Sequence, residues 1–285
     1  MCKILRYLIL IGCLIGLARF THHETRGFRI AKIQNNLAGE KLWLPDAAAE
    51  PCHLLLQPFS FFSRGLQSFV FLSADGQYVL KIFNNRHAHL QKWFEILAHV
   101  PGLQNWGTAS ALHHKTKWDK AFTSYKIAYE HLRDETGIVY IHLDPTSHLP
   151  NKLQLIDLLG ISHSIDPNQT GFILQKRCTP VYPALLQEIE KGDLNAARHC
   201  IDQLMDLFLL KYKRGIADND PLIRTNYGFL NGQPMQIDLG PLSLDPNIQE
   251  EEVYRQELRK TMQSLKNWLH IHCEELNLYL EEKLS

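Results

Sequence analysis

The residues best suited to chemistry lie in one short stretch. Between Arg214 and Gly240 the chain reads RGIADNDPLIRTNYGFLNGQPMQIDLG, which sets Asp218, Asp220, Asn226 and Asp238 among short apolar runs and turn residues. This pattern predicts loop, strand, turn and strand. Asp220 and Asn226 fall on the loop, Asn231-Gly232 makes the turn, and a strand over 234–237 delivers Asp238 at its end. Carboxylates and an amide held at strand ends can bind a divalent cation and orient a hydroxyl group. Asp218 and Asp220 share the loop, so either could be the working carboxylate.

A second constellation lies upstream. Residues 59–83, FSFFSRGLQSFVFLSADGQYVLKIF, alternate in polarity, with Phe69 and Phe71 on one face and Val70 and Leu72 on the other. A turn at Asp75-Gly76 makes this a β-hairpin, and its second strand carries Lys81. Gly65 lies in the connection before Val70. A hairpin with one inward lysine is common and usually holds no ligand. The order lysine, Asp, Asn, Asp along the chain is what gives the lysine weight.

In that order and spacing the sequence resembles the protein-kinase-like superfamily. Arg214-Gly215-Ile216 followed by Asp220 matches its catalytic loop, and Asp238-Leu239-Gly240 stands for its D-F-G. Val79-Leu80-Lys81 resembles its V-A-I-K strand. The resemblance implies that Asp220 accepts or orients the proton of a hydroxyl and that Asn226 and Asp238 hold Mg2+. It implies that Lys81 meets the phosphates of ATP beneath a covering loop containing Gly65. A glutamate on the helix after the lysine strand would pair with Lys81. Glu95 and Glu130 are the candidates, and Glu130 is preferred because its helix leads through Thr136-Gly137 into the next strand. A solvated Glu130 beside Lys126 and Arg133 is the plainer alternative.

Several positions depart from the family pattern. Ser63 and Ser68 stand where loop glycines would be, Asn226 comes six residues after Asp220 rather than five, and the loop lacks its usual lysine. Only 45 residues follow Gly240, with no A-P-E motif. The implied activity is an ATP- and magnesium-dependent transfer of phosphate to a hydroxyl of a small molecule, sugar or lipid, or of a protein. The alternative is a membrane-tethered pseudokinase that binds nucleotide or serves as a scaffold. A third reading is an α+β domain unrelated to nucleotide, in which Asp218, Asp220 and Asp238 cap turns.

The elements that must position these residues are legible in outline. Helical periodicity marks 86–100, roughly 118–135, and 194–212 behind an Asp193 cap. Strands are predicted over 138–143, 153–161 and 171–176, and one or two helices follow to about 282. Leu258, Met262, Leu265, Leu269, Leu276 and Leu280 are the expected inward positions. The fold class is α+β, a two-lobe kinase-like fold with an antiparallel N-lobe sheet, a reduced helical C-lobe and an N-terminal hydrophobic helix. The expected divisions are a hydrophobic segment (1–20), a linker (21–50), an N-lobe (51–178) and a C-lobe (179–285).

Bulk properties narrow the function classes. Thirty basic and thirty acidic residues leave no net charge, and no basic stretch with interleaved aromatics points to nucleic acid. Six scattered cysteines without a C-x-x-C read as reduced thiols. The histidine clusters lack the spacing of a helical zinc site. Residues 4–20, ILRYLILIGCLIGLARF, form the most apolar segment, expected to anchor the chain in a membrane. Lys3 and Arg6 precede it and Arg19, Arg26, Arg29 and Lys32 follow, a bias that places the folded domain on the cytoplasmic side. An exported form and a buried apolar helix are the rival readings of this segment.

Overall fold

Alternating apolar residues build the main sheet. Strands β1 (Phe59–Arg64), β2 (Ser68–Ser73) and β3 (Tyr78–Phe83) pair antiparallel. Phe69 lies opposite Ile82 and Phe71 opposite Leu80, all buried, while Val70 lies opposite Lys81 on the other face. Strands β4 (Ile138–His142), β5 (Leu153–Ile156), β6 (Ser162–Ile165) and β7 (Phe172–Lys176) complete seven strands in the order β4-β7-β3-β2-β1-β5-β6.

This sheet is mixed rather than antiparallel, because β1 and β5 run parallel. Parallel neighbours need a long crossover, and the chain between residues 64 and 153 supplies one. The apolar run over 153–161 is not one strand. Asp157 accepts hydrogen bonds from the N–H groups of Leu159 and Ile161, both at 2.9 Å, turning the chain back into β6.

The computed structural model describes residues 2–34, 52–65 and 67–285. These divide into two compact units, Met1–His114 with Tyr140–Leu174, and Lys115–Val139 with Gln175–Ser285. Of the linker expected over 21–50, residues 35–50 lie outside the described residues, as does Pro51. Residues 28–33 pack into the first unit. Phe28 and Ile33 are buried, and the Phe28 ring meets Phe61, Phe69 and Phe71 edge-on at 5.9, 5.3 and 5.5 Å. Asn85 ties the same segment down, its N–H donating to Lys32 O and its Nδ2 to Ala31 O.

Three helices accompany this sheet in sequence: α1 (Cys2–Glu24), α2 (Arg86–Leu97) and α3 (Gln104–His131). Helix α3 begins well before residue 118. Its first turns lie against the end of α2, where a Cβ on Gly107 would sit 2.5 Å from Ala98 N. Phe94 and Trp106 meet edge-on beside that contact.

The expected membrane anchor is overturned. Among the described residues no helix is long and apolar enough to cross a membrane. Arg6 and Arg19 interrupt the apolar run, leaving twelve charge-free residues, Tyr7 to Ala18. At about 1.5 Å per residue that spans roughly 18 Å against a hydrocarbon layer of about 30 Å. The sidedness argument loses the spanning helix on which it rests.

The second unit is mainly helical. After α4 (Arg133–Thr136) and β8 (Thr179–Pro180) come α5 (Val181–Lys191) and α6 (Leu194–Lys213). The Asp193 side chain caps α6 by accepting from Ala196 N at 2.9 Å. Then follow β9 (Ile216–Asp218), α7 (Ile223–Asn226), β10 (Tyr227–Leu230), β11 (Gln233–Gln236) and β12 (Leu242–Leu244). Helices α8 (Glu251–His272) and α9 (Glu274–Leu284) end the chain. All six expected inward residues, from Leu258 to Leu280, lie in the core that α8 and α9 share with α5 and α6.

Candidate functional site

The site is built where α6 gives way to the loops. Just past the end of α6, Gly215 has a φ of +70°, which suits glycine, and the chain enters β9. Strand β12 pairs with β9, with Leu242 opposite Asp218. This pairing brings the segment after Asp238 back beside the Asp218–Asp220 loop. Asn219 fastens the two, its N–H donating to Pro241 O at 3.1 Å and its Nδ2 to the same oxygen at 2.9 Å. A Cβ on Gly240 would lie 3.2 Å from the Asp220 Cβ, so Gly240 admits this close approach.

Beyond the loop, β10 and β11 form a two-residue hairpin. Asn231 and Gly232 both have positive φ, 52° and 79°, as a tight turn matched to strand twist requires. The hairpin register sets Tyr227 opposite Gln236 and returns the chain to Asn226. The Asn226 carbonyl accepts from Ile237 N at 2.7 Å and Asp238 N at 3.2 Å. Its side-chain Nδ2 donates to Asp220 O at 2.8 Å. Asn226 is therefore bonded to both Asp220 and Asp238. It is buried, while both aspartates are exposed.

Asp218 has a different role. Its side chain is 2% exposed and that of Lys211 is fully buried, and the two meet at 2.9 Å. Lys211 Nζ also donates to Tyr227 OH at 2.7 Å and Gln236 Oε1 at 2.8 Å. Three acceptors use all three protons of an ammonium group. Asp218 Oδ2 further accepts from Tyr227 OH and from Gln236 Nε2, and Asp218 Oδ1 accepts from Asp220 N at 3.0 Å. Both Asp218 oxygens are thus engaged, so Asp220 is the carboxylate open to a ligand. Asp218 does cap the turn at Asp220, as the third reading of the sequence expects.

Electrostatics agree with a closed ion pair. Burial pushes the Asp218 carboxyl up, but the Lys211 charge and the hydrogen bonds from Tyr227 and Lys211 outweigh it and hold the group below its ordinary range. Burial pulls the Lys211 ammonium down against the opposing pull of Asp218. Burial and then the Asp218 charge push the Tyr227 phenol far up. Burial, helped by the Asp238 charge, raises the Tyr125 phenol on α3.

Other candidates sit as follows. Lys81 is half-buried on β3 in the first unit. Gly65, also in the first unit, donates its N–H to Ser68 O, and a Cβ there would make only ordinary contacts at 3.5 Å and beyond. Glu130 on α3 reaches Lys126 at 3.9 Å, the pairing of the plainer reading. The alternative Glu95 accepts from Gln91 at 2.9 Å. Asp220, Asn226 and Asp238 come together in the second unit. Among the described residues, no group of three or more His, Cys, Asp or Glu side chains could hold a metal ion.

Sequence reasoning missed Lys211, Tyr227 and Gln236. One signal was present for the lysine. It lies three residues after Phe208 and seven after Leu204, on the inward stripe of α6.

No protein-family model matches this chain, and no curated protein matches it, so the kinase-like resemblance rests on the residues themselves. Among solved structures, the Rv3197–erythromycin complex from Mycobacterium tuberculosis is similar over 92% of this chain and 75% of that one. The identity is 14% and the TM-score 0.37, too slight a likeness to carry an argument.

Proposed function

We propose that this chain is an ATP- and magnesium-dependent phosphotransferase that acts on a hydroxyl group. The observation that carries the reading is the double attachment of Asn226, through Nδ2 to Asp220 O and through its carbonyl to Asp238 N. These bonds fasten Asn226 to the backbone of two aspartates that are exposed. With Nδ2 committed to Asp220, Asn226 Oδ1 is the atom left to serve as a ligand, shared with the Thr225 hydroxyl.

The donor set fits magnesium, which takes oxygen ligands and binds through one or two carboxylates together with substrate phosphates. Asp238 and Asn226 Oδ1 would hold the ion, and magnesium when bound neutralises charge on the phosphates. Asp220 accepts a hydrogen bond from the acceptor hydroxyl, orients it and takes its proton. Lys81 pairs with the phosphates, with Gly65 in the loop that covers them.

A second reading is a nucleotide-binding or scaffolding module without transfer. The pairing of Glu130 with Lys126 favours it, since that glutamate is engaged on its own helix.

The deciding measurement is the thermal shift of the full chain with ATP and magnesium, in wild type and in Lys81→Ala and Asp238→Asn. Ligand at a hundred times its dissociation constant adds about 2.7 kcal/mol. A magnesium-dependent rise in Tm lost in both variants supports the nucleotide site. Asp220→Asn separates the two readings, since it should keep the shift and abolish transfer. No shift at millimolar nucleotide would sink the phosphotransferase reading and leave the scaffolding module.

A further inference from the structure

We infer that Lys211 and Asp218 are positioning residues whose buried ion pair fixes the two loops carrying Asp220, Asn226 and Asp238. This assignment of roles rests on the phosphotransferase reading; the mechanical claim does not.

The pair is linked to each of the three residues by a short route. Asp218 Oδ1 holds the Asp220 N–H at 3.0 Å, which sets the backbone that presents the Asp220 carboxylate. Lys211 Nζ and Asp218 Oδ2 both bind Tyr227 OH, and Tyr227 follows Asn226 directly. Gln236 completes the set. Its Oε1 accepts from Lys211, and its Nε2 donates to Asp218 Oδ2 at 2.9 Å and to Asp238 O at 3.3 Å.

The chemistry leaves this arrangement little freedom. The ammonium can only donate, so Gln236 must turn its oxygen to Lys211 and its nitrogen to Asp218 and Asp238. Tyr227 accepts from Lys211 and therefore sends its own proton to Asp218. Among these four side chains every donor and acceptor has one consistent role. A buried polar network of this kind, fully satisfied, rigidifies its surroundings. Here the surroundings are the two loops of the candidate site. A purely apolar filling of the same space would pack, but would orient neither the Asp220 N–H nor the Asp238 carbonyl.

The test compares wild type with the double variant Lys211→Met/Asp218→Asn, which removes both charges together and leaves no buried ion unpaired. Amide hydrogen exchange is read without nucleotide, and affinity for magnesium-ATP is read separately. Exchange over 216–226 and 233–242 should quicken at least tenfold in the double variant, with α8 unchanged, and the affinity should fall at least tenfold. Gln236→Met, which removes the bond to Asp238 O together with those to Lys211 and Asp218 but keeps the Lys211–Asp218 pair and the bond from Asp218 to the Asp220 N–H, should quicken 236–242 and leave 216–222 as in wild type; it decides the question if the double variant does not fold. Unchanged exchange in both segments, or quickening spread evenly over α6 and α8, would overturn the inference. A wild-type chain that binds no magnesium-ATP would instead overturn the phosphotransferase reading, and the exchange result would still decide the positioning claim.

Discussion

Lys211 and Asp218, seven residues apart on α6 and β9, meet at 2.9 Å with their side chains closed off from solvent. An ion pair in such a place is stable only while both members are present. Lys211→Met alone leaves the Asp218 carboxylate buried without its counter-charge, and about 3–5 kcal/mol of stability should be lost. Urea denaturation of the single variant checks this; a loss below about 1 kcal/mol would mean the pair is solvated.

A pH dependence should come from His142. One ring nitrogen contacts Thr170 O at 2.8 Å and the other Thr146 Oγ1 at 3.0 Å. Burial pulls its pKa below the ordinary 6.5, reinforced by His148 and opposed by the Thr170 carbonyl, Asp144 and Asp166. Because the folded state prefers the neutral ring, this contribution is fully present above pH 6.5 and is lost as the pH falls through the folded value. Denaturation at a series of pH values should show stability sagging as the pH falls below 6.5 in wild type, with a flatter profile in His142→Gln.

Gly228 lies where β10 passes β8. A Cβ at this position would sit 2.6 Å from Thr179 O and 3.1 Å from Thr179 C, both backbone atoms with little freedom to yield. Gly228→Ala should cost about 1–3 kcal/mol through this clash. Its Tm falls below wild type if the approach is as close as described, and matches wild type if β8 can move aside.

The α6 cap gives a smaller effect. Asp193→Ala removes the acceptor for Ala196 N, and loss of such a cap costs about 1 kcal/mol. Asp193→Asn should recover most of it, and a melting comparison of the three proteins suffices.

The core of the second unit sets the upper end of the range. Met262 and Leu269 are fully buried on α8, and Leu269→Ala should cost about 2–5 kcal/mol. Exposed Leu278 on α9 is the control, since Leu278→Ala removes little buried surface. Equal losses at the two positions would contradict the packing of α8.

Local signals made much of this fold legible. The Asn231-Gly232 turn, the Asp193 cap and the inward positions of α8 and α9 each follow from rules acting within a few residues. What failed was non-local. The parallel pairing of β5 with β1 joins strands far apart in sequence, and no periodicity within either one records it. Lys211 has the type of a surface residue, and only Asp218, Tyr227 and Gln236, gathered from three other elements, make its burial tolerable. The choice between Asp218 and Asp220 was hidden for the same reason. The two lie only two residues apart, and tertiary contact alone shows which carboxylate is occupied.

The packing of Phe28 also governs how the chain can be shortened. A fragment beginning at residue 51 looks attractive from composition, yet it would uncover the rings of Phe61, Phe69 and Phe71 together. Such a fragment would carry an adhesive aromatic surface of its own making, and any self-association it showed would describe the cut rather than the protein.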